Sequence, residues 1–169
     1  MVRVTGLLLV LLYHFYKTIF PGGFVGVDVF FTFSGYLITA LLIDEYSKHR
    51  KIDLLGFYRR RFYRIVPPLV LMVLMVIPFT YLVSRDYVAN IGTQIAAALG
   101  FTTNFYEIMT GGNYESQFVP HLFLQTWSLA IEMHFYLIWG WLIWFLGRRR
   151  HSLAQFRSMI FGISGLFFL

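Results

Sequence analysis

The chain has 169 residues, of which 58% are hydrophobic and 20% aromatic against 13% charged, too little polar surface to cover a water-soluble globule. Its net charge of +6 is carried at the ends of apolar runs, the placement of topology signals rather than of a nucleic-acid surface. The absence of cysteine removes disulfides, thiolate metal sites and cysteine nucleophiles, and no metal centre is expected.

Apolar runs of about 17–25 residues suffice to cross a hydrocarbon core about 30 Å thick. Val4 to Phe20 is the first such run, closed by Pro21-Gly22-Gly23. It has a cation at Arg3 but no small-residue cleavage site, so it reads as a retained helix rather than a signal peptide. Phe24 to Ile43 is the second. The polar loop expected from Asp44 to Arg64 carries Lys48, Arg50, Lys51, Arg59, Arg60, Arg61 and Arg64, and these seven cations mark the cytoplasmic side. The N-terminus then lies inside as well. Ile65 to Val83 is the third span, with Pro67-Pro68 expected in its first turn, where missing amide donors cost least.

Val88 to Tyr106 is less apolar and interrupted by Asn90, Gln94, Thr102, Thr103 and Asn104, which fits a span, a re-entrant segment or an interfacial helix. Trp127 to Leu146 is a further span, followed by Arg148-Arg149-Arg150. That triplet is cytoplasmic only if Val88 to Tyr106 does not cross, the arrangement favoured here. From Met159 the chain is apolar again and is expected to continue beyond Leu169. No repeat or strand-like alternation appears, so the expected fold is an all-α transmembrane helix bundle of five or six membrane segments in one membrane domain.

Ionisable residues inside such spans are costly and usually face a cavity or a partner. Arg3 and His14 are eleven residues apart, which on one helix returns to nearly the same face about 16 Å further along. That places Arg3 at the cytoplasmic interface and His14 near mid-membrane. A neutral histidine bonding between helices is the plainer reading of His14 taken alone. Asp28, four residues into a span entering from outside, and Glu132, about 7.5 Å below Trp127 if its helix also enters from outside, are expected to share a layer with His14. His134 points to another face and is read as structural. Arg60 and Arg61 both neighbour Arg64 on a helix face, and guanidinium forks suit phosphate, either of a phosphorylated donor or of lipid head groups.

These residues stand in motifs. Arg3, ten intervening residues and His14 are followed by Gly22-Gly23-Phe24-Val25-Gly26-Val27-Asp28-Val29-Phe30-Phe31 and Ser34-Gly35-Tyr36-Leu37-Ile38-Thr39. Arg60-Arg61-Phe62-Tyr63-Arg64-Ile65-Val66-Pro67 and Trp127-Ser128-Leu129-Ala130-Ile131-Glu132-Met133-His134-Phe135-Tyr136 follow in order. Together they resemble the acyltransferase-3 family of membrane O-acyltransferases, and within it the bacterial peptidoglycan O-acetyltransferases. The resemblance implies a multi-pass bacterial membrane enzyme with an acyl-CoA donor, usually acetyl-CoA, on the cytoplasmic side, an extracytoplasmic glycan acceptor and no bound cofactor. It implies His14 as the catalytic histidine with Arg3 its motif partner, Arg60, Arg61 and Arg64 as donor-binding residues and Glu132 as a site acid. Asp28 joins them as a candidate from its depth. About ten spans are usual in the family, and the longer cell-wall members add an extracellular hydrolase-like domain with a catalytic serine. The expected partners are therefore membrane lipid, acyl-CoA, the glycan, and the remaining membrane segments or a separate extracellular transferase domain. A transporter or flippase, whose proton relays also use buried acids and histidines, and a non-catalytic membrane subunit are the competing readings.

Overall fold

A computed structural model describes residues 2–16, 18–19, 21–83, 90–110, 121–148 and 152–166; of Val2, Arg3, Tyr81, Val83, Ser164 and Leu166 it describes the backbone alone. The described residues are mainly helical, with no strand: α1 (Val2–Phe15), a 3-10 turn (Pro21–Phe24), α2 (Val25–His49), α3 (Leu54–Val83), α4 (Ile91–Leu99), α5 (Thr103–Thr110), α6 (Thr126–Arg148) and α7 (Leu153–Leu166). Three stretches, Pro21–His49, Leu54–Thr80 and Thr126–Arg148, are long and apolar enough to cross a membrane. Large apolar side chains point outward along them, among them Leu71, Leu74, Phe79 and Leu82 on α3 and Leu137, Ile138 and Phe145 on α6, as lipid-facing surfaces require. The described residues are those of an all-helical, multi-pass membrane protein.

Several boundaries depart from those expected. α1 stops at Phe15, five residues short of Phe20, and a 3-10 turn at Pro21–Phe24 leads into α2. The stretch expected as a loop between Asp44 and Arg64 is almost entirely helix. α2 runs on to His49 and ends where Arg50 turns left-handed at φ 52°, its N–H donating to the Tyr46 carbonyl. Within four residues α3 begins, the Asp53 N–H held by Glu45 Oε1 at 2.8 Å. Pro67 and Pro68 therefore sit inside α3 rather than opening it, and Pro78 lies inside it too. The arginines belong to a rigid helix.

The chain divides into two compact units. The first comprises residues 1–53 and 139–169. In it α1 and α2 pack antiparallel at backbone contact: a Cβ on Gly23 would stand 2.5 Å from the Leu9 carbonyl oxygen, and one on Gly26 would strike the Gly6 carbonyl. Only hydrogen fits there, and with it the helices approach closely enough to replace lipid contacts by backbone packing. α2 and the second half of α6 run parallel, since Trp139 Nε1–H donates to Thr39 Oγ1 at 2.8 Å and Gly147 faces Tyr46. Tyr46 stacks on Phe156 of α7 with ring centroids 4.0 Å apart.

The second unit comprises residues 54–138. Its core joins Leu69 and Val73 of α3, Ala98 of α4 and Phe123, which precedes α6, with Ile77, Ile95 and Leu129 packed around them. α3 and α6 are antiparallel, because Tyr58 Oη donates to the Leu137 carbonyl at the opposite end of the contact. α4 and α5 are nine and eight residues long, and the chain breaks between them at Phe101, whose φ is 55°. At 1.5 Å per residue each covers roughly 12–14 Å, so neither crosses a bilayer. Of the three readings of Val88 to Tyr106, an uninterrupted span is excluded for its described residues.

Candidate active site

In the first unit, His14 stands in the last turn of α1 rather than mid-helix. Its Nδ1 lies 2.8 Å from the Val10 carbonyl oxygen. A carbonyl can only accept, so Nδ1 carries the hydrogen, and in the neutral ring Nε2 is the acceptor nitrogen. The Tyr13 ring meets the imidazole edge-on at 5.5 Å and also contacts Phe24, fixing the ring against the start of α2. Asp28 is exposed in the first turn of α2 and forms no hydrogen bond or ion pair among the described residues. Because Tyr13 lies against Gly23 and Leu9 against Gly26, His14 is level with Gly22 and Gly23. Asp28 is then roughly 8 Å further along the helix axes, so the two do not share the layer expected of them. The side chain of Arg3 lies outside the described residues.

In the second unit α3 presents its cations on different rows. Phe57, Arg61, Ile65, Leu69 and Val73 recur every four residues along the packed face, and Phe57, Leu69 and Val73 are buried. Arg61, in that row, sends its guanidinium over the Phe57 ring at 5.5 Å and the Tyr136 ring at 5.9 Å. Tyr136 Oη in turn donates to Glu132 Oε1, one turn earlier on α6. Both residues are buried. Arg60 and Arg64 form an adjacent exposed row, and Arg59 faces outward as well. The three arginines expected to bind together thus divide: Arg61 is a packed member of an Arg61–Tyr136–Glu132 chain, and Arg60 and Arg64 offer their forks outward. Glu132 is joined through Tyr136 to the arginine-bearing helix.

A single polar arrangement follows. A desolvated carboxylate is held by a phenol whose ring carries a guanidinium, and two further arginines flank it on the side that the cation excess marks as cytoplasmic. Phosphate groups suit such a row of forks. A family profile described as an acyltransferase domain matches residues 1–169, the whole chain.

The chain belongs to the acyltransferase-3 family.

It is 39% identical over 140 residues to the O-acetyltransferase OatA of Staphylococcus aureus strain NCTC 8325, an alignment covering 83% of this chain and 23% of the relative. The same figures hold for OatA of strain COL. A second protein of strain COL, provisionally named an O-acetyltransferase, is 38% identical over 135 residues, covering 80% of this chain and 22% of its own length. The chain thus spans less than a quarter of the length of these curated relatives. No solved structure matches it. Within this acyltransferase-3 chain, sequence reasoning passed over Glu107 and His121, joined at 2.7 Å, and the buried Gln94, which accepts the Leu122 N–H at 3.0 Å. Glu107 lies on α5 and His121 ahead of α6, so no single element's period relates them. The mid-segment polar residues were the available signal, and they read as weakening a span rather than as building a site.

Proposed function

We propose that this chain is part of a membrane O-acetyltransferase that moves an acetyl group from acetyl-CoA to a hydroxyl of an extracytoplasmic glycan, peptidoglycan being the acceptor that the motif resemblance favours. The observation that carries the reading is the arrangement of α3 against α6: Arg61 anchored over Tyr136 and backed by Glu132, with Arg60 and Arg64 turned outward beside it. Phosphates of the donor take the exposed row through charge-assisted hydrogen bonds, and the acyl-bearing arm extends along the helices into the membrane.

His14 supplies the acid–base centre of the first unit. With Nδ1–H committed to the Val10 carbonyl, Nε2 is the nitrogen that takes a proton or the acyl group. Arg3, on the same helix, is its motif partner by the family resemblance, and Asp28, on the helix packed against it, lies roughly 8 Å further along the axes. A transporter would have no use for an arginine row beside a buried Glu–Tyr pair at its cytoplasmic end. The test supplies membranes containing the protein with radiolabelled acetyl-CoA and a peptidoglycan acceptor. Label in the glycan, abolished by His14→Ala, is the expected result; labelled donor that is bound or transported with no label in glycan would overturn the reading.

A further inference from the structure

The second unit holds a titratable pair that the donor end does not use. Glu107 on α5 and His121, just ahead of α6, are joined through Glu107 Oε2 and His121 Nδ1 at 2.7 Å, with side chains 10% and 18% exposed. The Tyr106 ring lies 5.9 Å from the imidazole, and among the described residues Glu107 and Tyr106 are the titratable groups in contact with it. The surroundings are built rather than incidental. Gln94 anchors the backbone next to His121, and Thr103 and Thr126 hydroxyls bond each other at 2.8 Å, tying α5 to the start of α6. Asn104, one turn before Glu107 on the same face, has a side-chain oxygen sealed from solvent with no donor among the described residues.

Its position along the membrane is also defined. Phe123, two residues after His121, packs with Leu69 and Val73, which lie eight and twelve residues beyond Arg61 on α3. That is roughly 12–18 Å from the level of the arginines, on the side away from the cytoplasm. The thioester of a donor anchored by its phosphates stands at the far end of a long flexible arm, so the reacting carbon is needed well away from the arginines.

We infer that Glu107 and His121 form a second acid–base centre, in which the Glu107 carboxylate orients the His121 ring and Nε2 takes the proton from the acceptor's sugar hydroxyl. The inference rests on the acyltransferase reading above and assigns its acceptor step. The carboxylate holds hydrogen on Nδ1, leaving the Nε2 lone pair as base, and stabilises the imidazolium as it forms, the logic by which an acid–histidine pair activates a hydroxyl elsewhere. As Nε2 removes the proton, the hydroxyl oxygen bonds to the acyl carbonyl carbon. The bond from that carbon to its leaving atom, a thioester sulfur or an acyl carrier on the enzyme, then breaks, and the imidazolium returns the proton to the leaving group.

The test uses membranes containing the full protein, labelled acetyl-CoA and glycan acceptor. His121→Asn and His121→Gly are expected to lower kcat about 100-fold or more with the donor KM within about threefold of wild type, since general-base catalysis contributes of order 10²–10⁴. Added imidazole should restore part of the missing kcat in His121→Gly. Glu107→Gln retains an acceptor for Nδ1–H but not the charge, and should lower kcat about tenfold at unchanged abundance. A pair that merely fastens α5 to α6 would tolerate Glu107→Gln and ignore imidazole, and either behaviour overturns the inference. Should wild-type protein transfer nothing, the acyltransferase reading fails first; wild-type transfer with undiminished His121 variants sinks the second centre alone.

Discussion

Replacing both Arg60 and Arg64 by Gln separates donor recognition from the integrity of the fold. Both side chains lie on the exposed row of α3, one turn apart, and neither contributes to the Phe57–Leu69–Val73 face that holds α3 in its unit. An exposed charge-assisted hydrogen bond contributes about 1 kcal/mol after solvent screening, less than its buried equivalent. Removing both arginines together then costs about 2 kcal/mol of donor binding, or roughly a 30-fold rise in the acetyl-CoA KM, with kcat within about threefold because these bonds are made on binding and kept through the reaction. Arg61→Gln should behave differently. It removes the cation from over Phe57 and Tyr136, so its effect should appear as lower abundance or lower kcat, with a smaller change in KM. Initial rates of label transfer at varied acetyl-CoA in isolated membranes, normalised to protein by immunoblot, measure both. An unchanged KM in the double variant, or the whole KM effect reproduced by Arg61→Gln alone, would refute the division of the cluster.

His14→Ala should reduce acyl transfer to background with membrane abundance roughly unchanged, since the imidazole lies exposed at the end of α1 and bonds within its own helix; retained transfer removes it from the mechanism. Gly26→Leu should act on the fold instead, because its side chain would occupy the space of the Gly6 carbonyl and Val10; a sharp fall in membrane-inserted protein is expected, against a mild effect for Gly22→Leu, where a Cβ meets nothing within 4 Å. Arg148→Cys, in a chain without native cysteine, should resist a membrane-impermeant thiol reagent in intact cells and react after permeabilisation, since α6 runs parallel to α2 and ends on the side of His49 and Arg50. Labelling in intact cells would invert α6.

Hydropathy and charge made the helices and their order legible, and motif order made the family legible. Two features escaped for physical reasons. A cation-rich run looks like loop until the neighbouring turns are weighed: Phe57, Ile65, Leu69 and Val73, with Arg61 between the first two, form a row at every fourth residue, enough to pack one face of α3 and carry the arginines on it. The Glu107–His121 pair escaped because tertiary packing alone joins it, across a stretch in which no period operates.

The placement of Glu132 turns on where α6 begins in depth. Counting down from Trp127 as though it stood at the outer surface puts Glu132 in the outer half of the membrane, in a layer with His14. Phe123, however, packs against Leu69 and Val73, ten or more residues from the Val83 end of α3, which is at least roughly 15 Å below it. α6 therefore starts beside the middle of α3 rather than beside its Val83 end. Six residues on, Glu132 has descended to the arginine end of α3, where Tyr136 hands its carboxylate a hydroxyl and rests its ring under Arg61. Two alternatives that look exclusive in the sequence are then compatible: α6 enters from the outer side, and its acid serves the donor end. The same displacement draws His121 inward from the surface, so that a base capable of accepting a sugar proton stands at the depth to which a donor anchored by the arginines would deliver its acyl group.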